Sequence, residues 1–200
     1  MMRIITGRAR GTHLNTLEGE ATRPTSERAK EAVFSMLQFE IRERAVLDLF
    51  AGSGQMALEA ISRGAKSAVL VDASPKAIDV IKKNVAKTHF EAECRVICAD
   101  YADYLMRCRE TFDLVILDPP YAKRLVRPVL VTMLERGLLN AGATVVCESA
   151  EEDVISLQER LARFVHCCDG ILPVLFGSGL ILRHRDRRGN HIDHAFCATA

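Results

Sequence analysis

Asp118-Pro119-Pro120-Tyr121 directly follows an apolar run, Phe112 to Leu117, and its residue types suit holding an amine on a base for alkylation. Such an exocyclic amine is a poor nucleophile, because its lone pair is delocalised into the ring. If the Asp118 carboxylate and the Pro119 carbonyl each accept one N–H, the nitrogen is fixed with its lone pair aimed at an electrophilic methyl. Asp118 then orients rather than deprotonates, since the amine becomes strongly acidic only after it has accepted the methyl. Pro119 and Pro120 stiffen the turn, and Tyr121 can stack on a base turned out of its helix. The plainer reading is a strand-ending turn with a packed tyrosine.

A methyl donor needs its own cradle, and Val46-Leu47-Asp48-Leu49-Phe50-Ala51-Gly52-Ser53-Gly54 supplies one. A short apolar strand runs into a glycine turn, and a helix opens at Gln55 with unpaired N–H groups at its first turn. Gly52 to Ala57 also satisfies the dinucleotide pattern of glycine, glycine, then glycine or alanine, which is weak by itself. Asp48 ahead of the glycines would repel a pyrophosphate but can hold a cationic amino group, and that favours S-adenosylmethionine over NAD. Asp72, about twenty residues beyond the turn, is spaced to take ribose hydroxyls. Asp100 can accept from an adenine amino group with Tyr101 beside it. The expected cofactor set is therefore Asp48, Phe50, Ala51, Gly52, Ser53, Gly54, Asp72, Ala73, Asp100 and Tyr101. Asp48, Asp72 and Asp100 also read as turn or capping residues, the commonest use of Asp at strand ends. Four acids at successive strand ends, with Asp118 the fourth, are expected to share one crevice.

The elements that position these residues follow from periodicity. The first strand ends near Phe50; further strands are expected at Ser67 to Asp72, Cys94 to Ala99, Phe112 to Leu117 and Thr144 to Cys147. Between them lie helices at Gln55 to Arg63, Pro75 to about Thr88 and Leu125 to Leu139, with another at Val154 to Phe164. This alternation predicts a parallel sheet covered on both faces. Ile171 to Leu175 and Leu180 to Leu182 flank Gly177-Ser178-Gly179 with no helix between, which predicts an antiparallel pair. Residues 3–17 read as a small extended hairpin turning at Arg10-Gly11. A Thr or Ser after Arg23-Pro24 is expected to cap a helix whose apolar face is Ala29, Val33, Phe34 and Leu37.

The 200 residues carry a formal net charge of +1, which predicts no partner by itself. Arginines gather at the two ends, at Arg3, Arg8, Arg10, Arg23 and Arg28 and again at Arg183, Arg185, Arg187 and Arg188, where they could meet a polyanion or simply be solvated. No apolar run is long enough to cross a membrane and no signal-peptide pattern opens the chain, so a cytoplasmic location is expected. Seven cysteines, an odd number without paired spacing, suit a reducing compartment. Cys94, Cys98 and Cys147 are expected in the core. His191, His194 and Cys197 have ligand-like spacing but no evident fourth partner, and no metal is expected.

Taken together, these residues resemble the bacterial 16S ribosomal RNA guanine N2-methyltransferases of the guanine-966 type, the RsmD family, from about Arg3 to Arg183. The resemblance is carried by Arg3-Ile4-Ile5-Thr6-Gly7 with Arg10-Gly11, by Arg23-Pro24-Thr25 and Arg28 to Phe34, by Asp48 to Gly54 with Leu58-Glu59-Ala60 and Ser62 to Ala65, and by Asp118 to Tyr121. It implies a doubly wound, mostly parallel seven-stranded Rossmann-like methyltransferase sheet, with an antiparallel C-terminal hairpin and an N-terminal β-hairpin extension. The implied organisation is the extension at 1–22, the methyltransferase domain at 23–184 and a basic tail at 185–200. The implied reaction is methyl transfer from S-adenosylmethionine to the 2-amino group of one guanine in 16S ribosomal RNA, on an assembling small subunit, by a monomer. Arg3, Arg8, Arg10, Arg23, Thr25 and Arg28 are the candidates for RNA contact. Two alternatives stay open: a DNA adenine-N6 or cytosine-N4 methyltransferase, against which the missing target-recognition domain weighs, and a non-catalytic RNA-binding assembly factor on the same scaffold. A protein-glutamine methyltransferase would carry Asn where Asp118 stands.

Overall fold

The computed structural model describes residues 2–17, 24–119, 125–148, 172–176 and 180–181, and the chain divides into two compact units, Met1–Arg107 and Cys108–Ala200. In the first, helix α1 (Pro24–Met36) precedes strand β1 (Ala45–Asp48), α2 (Gln55–Ser62), β2 (Ser67–Asp72), α3 (Pro75–Thr88), β3 (Cys94–Cys98) and α4 (Tyr101–Arg107). β2 lies between β1 and β3 and pairs parallel with both, Leu47 opposite Val69 and Leu70 opposite Val96. Parallel strands need a crossover, and α2 and α3 provide it.

Local chemistry sets these boundaries. Ser74 caps α3, its hydroxyl accepting the Ala77 N–H at 3.4 Å, and Pro75 stands at the first helical position, where its missing N–H costs nothing. The helix ends at His89 in the left-handed region, φ 58°. Along it Ile78, Ile81 and Val85 are buried, and together with Leu58, Ile61, Leu47 and Leu70 they form the core between helices and strands. Truncating any one of the fully buried Leu47, Leu58, Ile61, Leu70 or Ile81 to Ala costs about 2–5 kcal/mol in comparable cores. α1 begins at Pro24, so Thr25 lies inside the helix and is not its cap. Proline's fixed φ starts a helix more readily than it tolerates one starting after it.

The opening segment folds back on itself. Ile4 N–H donates to Thr12 O at 3.0 Å, Gly11 N–H to Ile4 O at 2.9 Å and Leu14 N–H to Met2 O at 3.0 Å. Of the small extended hairpin expected over 3–17, the ladder among the described residues is a single antiparallel bridge, Arg3 opposite His13. Its hold on the unit comes from elsewhere: the Ile5 and Thr6 N–H groups donate to the two carboxylate oxygens of Glu59 at 2.7 and 3.0 Å, and Arg8 N–H donates to Ser62 O at 2.8 Å. Gly7, φ 89°, makes this approach possible, since a Cβ there would lie 1.9 Å from Ser62 O.

The second unit contains β4 (Phe112–Leu117), α5 (Val126–Glu135), β5 (Leu139–Glu148), β6 (Leu172–Phe176) and β7 (Leu180–Ile181). β4, β5 and β6 run parallel, Val115 opposite Val145 and Val146 opposite Val174, while β7 pairs antiparallel with β6, Val174 opposite Ile181. β5 starts five residues before the expected Thr144, and the register slips between Phe112 opposite Leu139 and Leu114 opposite Thr144. Gly142, φ 75°, sits in the slipped stretch. α5 is correspondingly shorter than the expected Leu125 to Leu139. Among the described residues no helix is long and apolar enough to cross a membrane. The helix expected at Val154 to Phe164, the tail, and the His191, His194 and Cys197 group lie outside the described residues.

Candidate functional site

The glycine turn is built from its own backbone and one acid. Ala51 N–H donates to Val71 O at 3.0 Å, and Gly54 N–H donates to Ala51 O at 2.6 Å. Gly52 and Gly54 stand at φ 53° and 78°, and a Cβ at Gly54 would press to 3.0 Å from Leu70 Cδ2. Gly54 therefore requires glycine, and the left-handed φ of Gly52 favours it. Gly54 stands at the N-cap of α2, a position without a side-chain capping bond, so the helix N-terminus carries the unpaired-donor character of an uncapped first turn.

Asp72 closes the turn from β2: Oδ2 accepts Gly52 N–H at 2.9 Å and Oδ1 accepts Ser74 N–H at 2.8 Å. A carboxylate has about four lone-pair sites. The half-buried Asp72 thus keeps capacity for two further donors, the number a ribose diol offers. Asp100 behaves similarly at the end of β3, its Oδ1 accepting Ala102 N–H at 2.9 Å to cap α4, with the other oxygen exposed. The capping roles that Asp invites at strand ends are real here, and they leave half of each carboxylate for a ligand. Asp48 is buried, 2% exposed, at the end of β1. The Phe50 and Tyr101 rings lie with centroids 5.6 Å apart and tilted 44°, both half-buried, while Ala73 is exposed. Ser53 is different: it is buried, and its hydroxyl turns to Met2 Sδ at 3.3 Å, behind the turn.

In the second unit β4 delivers the expected pair, with Asp118 exposed and Pro119 buried immediately beyond Leu117. Pro120 and Tyr121 lie outside the described residues, as do Arg23 and the side chains of Thr25 and Arg28. Of the other arginines, Arg8 is engaged within its own unit, donating to Glu93 Oε1 at 2.8 Å with its guanidinium 4.9 Å over the Phe90 ring. Arg3 and Arg10 are exposed.

Two groups escape sequence reasoning. Glu59, fully buried, accepts Arg63 Nε at 2.8 Å besides the Ile5 and Thr6 amides, and Lys30 Nζ lies 3.8 Å away. Asn84, also fully buried, joins α3 to the glycine turn and to Asn15. The available signal was position: each polar residue occupies a core-facing place in its helix, Glu59 between Leu58 and Ala60, Asn84 three residues after Ile81. Cys98, expected in the core, is exposed and Cys94 only half-buried, because β3 has a neighbour on one side alone within its unit. Cys147 is buried as expected.

The family described as Conserved hypothetical protein 95 matches residues 2–167. A ribosomal RNA small subunit methyltransferase D of Haemophilus influenzae is 33% identical over 154 residues, covering 76% of this chain and 80% of that protein. YlbH of Bacillus subtilis, described as a candidate rRNA methyltransferase, is 34% identical over 154 residues, covering 76% of this chain and 84% of that one. Among solved structures, yhhF of Escherichia coli, described as a candidate methyltransferase, matches with a TM-score of 0.69 at 31% identity, covering 76% of this chain and 83% of that chain. The shared architecture is the α/β methyltransferase fold.

Proposed function

We propose that this chain, which belongs to the family described as Conserved hypothetical protein 95, transfers a methyl group from S-adenosylmethionine to the 2-amino group of one guanine in 16S ribosomal RNA, on an assembling small subunit. The observation that carries the reading is the Asp118-Pro119 pair at the end of β4, an exposed carboxylate followed by a buried proline, in a chain whose relatives bear ribosomal RNA methyltransferase names. The wider reading includes a single seven-stranded sheet with the antiparallel C-terminal hairpin and N-terminal extension, acting as a cytoplasmic monomer.

In this reading the turn from Ala51 to Gly54, Asp72 and Asp100 hold the cofactor. Asp72 takes the ribose hydroxyls on its spare lone pairs, and the free oxygen of Asp100 takes the adenine amine. Asp48 supplies the negative charge that holds the amino-acid end, and Phe50 and Tyr101 offer apolar ring surface to the base. When bound, the cofactor supplies a methyl on a sulfonium, already electrophilic. Asp118 and the Pro119 carbonyl accept the two N–H groups of the guanine amine and hold its lone pair in line. A cofactor held here would supply the methyl and leave as S-adenosylhomocysteine, while Asp118 stabilises the positive charge developing on the guanine nitrogen, whose surplus proton would pass to solvent. Tyr121 stacks on the extruded base. Arg3 and Arg10, with Arg23, Thr25 and Arg28, contact phosphates; Arg8 serves the fold.

The test is transfer of labelled methyl from S-adenosylmethionine to small subunits from cells lacking this protein, with naked RNA and DNA alongside, followed by nucleoside analysis. N2-methylguanosine in the 16S RNA is the expected product; label only in DNA, or in no nucleic acid, overturns the reading.

A further inference from the structure

The cofactor turn is gripped from behind. The Asn84 side chain uses both of its amide hydrogens and its oxygen: Nδ2 donates to Ser53 O at 2.8 Å and to Asn15 O at 3.0 Å, and Oδ1 accepts Asn15 N–H at 2.7 Å. Ser53 O belongs to the peptide unit whose N–H, on Gly54, donates to Ala51 O at 2.6 Å. That peptide plane is therefore fixed at both ends, and with it the positive φ of Gly54. The Ser53 hydroxyl bonds Met2 Sδ, so the opening segment touches Ser53 directly as well as through Asn84. Asn84 is 0% exposed, and lifting the segment would free one amide hydrogen and the oxygen that Asn15 now holds, so the Ser53 contact would lose the second anchor of its amide.

We propose that Asn84 is a positioning residue for the cofactor turn, and that it links the turn to residues 2–15 so that cofactor binding and docking of that segment reinforce each other. The proposal rests on reading the turn as the S-adenosylmethionine site. Coupling of this kind is reciprocal: what the cofactor does for the segment, the docked segment does for cofactor affinity. The same segment presents Arg3 and Arg10. RNA that holds the segment down would thereby tighten the turn.

The experiment measures S-adenosylhomocysteine affinity by calorimetry and residue-resolved amide exchange, in the full chain and in Asn84→Ala, with circular dichroism to check folding. An amide that exchanges by local detachment is slowed by ligand only if detachment weakens binding, which separates coupling from general stabilisation. Expected are slower exchange of the Ile5, Thr6 and Asn15 amides on ligand addition to the native chain, loss of that response in Asn84→Ala, and affinity about tenfold weaker in the variant. Ligand bound by the native chain with those amides exchanging unchanged overturns the coupling alone. So does a folded Asn84→Ala that binds as tightly as the native chain. No binding to the native chain overturns the cofactor reading and this proposal with it. If Asn84→Ala does not fold, the native-chain exchange decides.

Discussion

Replacing Glu59 by Gln changes one buried atom pair and tests what holds the opening segment. The carboxylate accepts the Ile5 N–H on one oxygen and the Thr6 N–H and Arg63 Nε on the other, with Lys30 Nζ at 3.8 Å; Glu59 is 0% exposed and the Lys30 side chain 1%. Gln retains a single oxygen, so an N–H faces an NH2 group, and Lys30 and Arg63 lose the carboxylate charge beside them while keeping the Arg3 and Phe34 carbonyls. Removing one member of a buried ion pair costs about 3–5 kcal/mol, because the charge left behind stays desolvated. For a chain of this size each kcal/mol moves the melting temperature by roughly 2–4 °C, so a fall of roughly 6–20 °C is expected by calorimetry. The control is Glu40→Gln, which breaks the surface pair with Arg44 at 3.8 Å, its acid side chain 39% exposed. Water screens that pair, and the change should stay within about 0.5 kcal/mol. If Glu59→Gln melts within the range of Glu40→Gln, the account of Glu59 as the fastening of residues 5 and 6 is wrong.

Gly7→Ala should lower stability by more than about 2 kcal/mol in denaturant titration, because it adds a collision with the Ser62 carbonyl to the left-handed strain, whereas Gly11→Ala, φ 85° with nothing within 4 Å of its Cβ, should cost about 1–2 kcal/mol from backbone strain alone. Burial first, then the Glu93 and Glu91 carboxylates, push the Cys94 thiol up to about 12, and burial pushes Cys147 up to about 12. A raised folded-state value favours the fold while the thiols stay protonated. Their contribution is complete below the ordinary value of 9.0 and is lost as pH climbs towards about 12, so melting temperature should fall across that window. Exposure alone orders the thiols for a reagent: iodoacetamide at pH 8 should label the exposed Cys98 ahead of the half-buried Cys94 and the buried Cys108 and Cys147, as read by peptide mass spectrometry, and equal labelling would contradict it. Asp118→Ala should retain S-adenosylhomocysteine binding within about twofold while slowing methyl transfer by about a hundredfold or more, and unchanged turnover would remove Asp118 from the chemistry.

The parts of the fold that were legible in the sequence are those where local chemistry and burial agree. β2 and α3 read correctly because Asp72, Ser74 and Pro75 punctuate them and Ile78, Ile81 and Val85 keep the helical period. α4 was missed: Tyr101–Arg107 is two turns long, with Tyr104 and Leu105 its buried pair, too little for a periodic signal. The sequence carries the helix to Leu139 and opens the strand only at Thr144, whereas β5 begins at Leu139, paired with Phe112 across a register shift that no local pattern announces. The site divides the same way. Gly52, Gly54, Asp72 and Asp100 announce themselves at strand ends. Glu59 and Asn84 do not, because a polar residue in a helix normally faces water, and the Ile5, Thr6 and Asn15 backbone groups they hold lie more than fifty positions away. The Ser53 hydroxyl bonds Met2 Sδ, a contact that the glycine motif gives no sign of.

The long reach of those bonds also sets an order of events during synthesis. Ile5 and Thr6 wait for Glu59, Asn15 for Asn84, and Arg8 for Glu93, 85 positions later. At about 5–20 residues per second, translation needs roughly 4–17 s to make a stretch that long. Closing so wide a loop is thermodynamically mild, since each doubling of its length adds only about 0.6 kcal/mol. The delay is in time instead. Residues 5–15 are made well before the partners that seat them, so the nascent chain offers this basic segment, undocked, to chaperones or proteases at the ribosome for most of the time those partners take to be made.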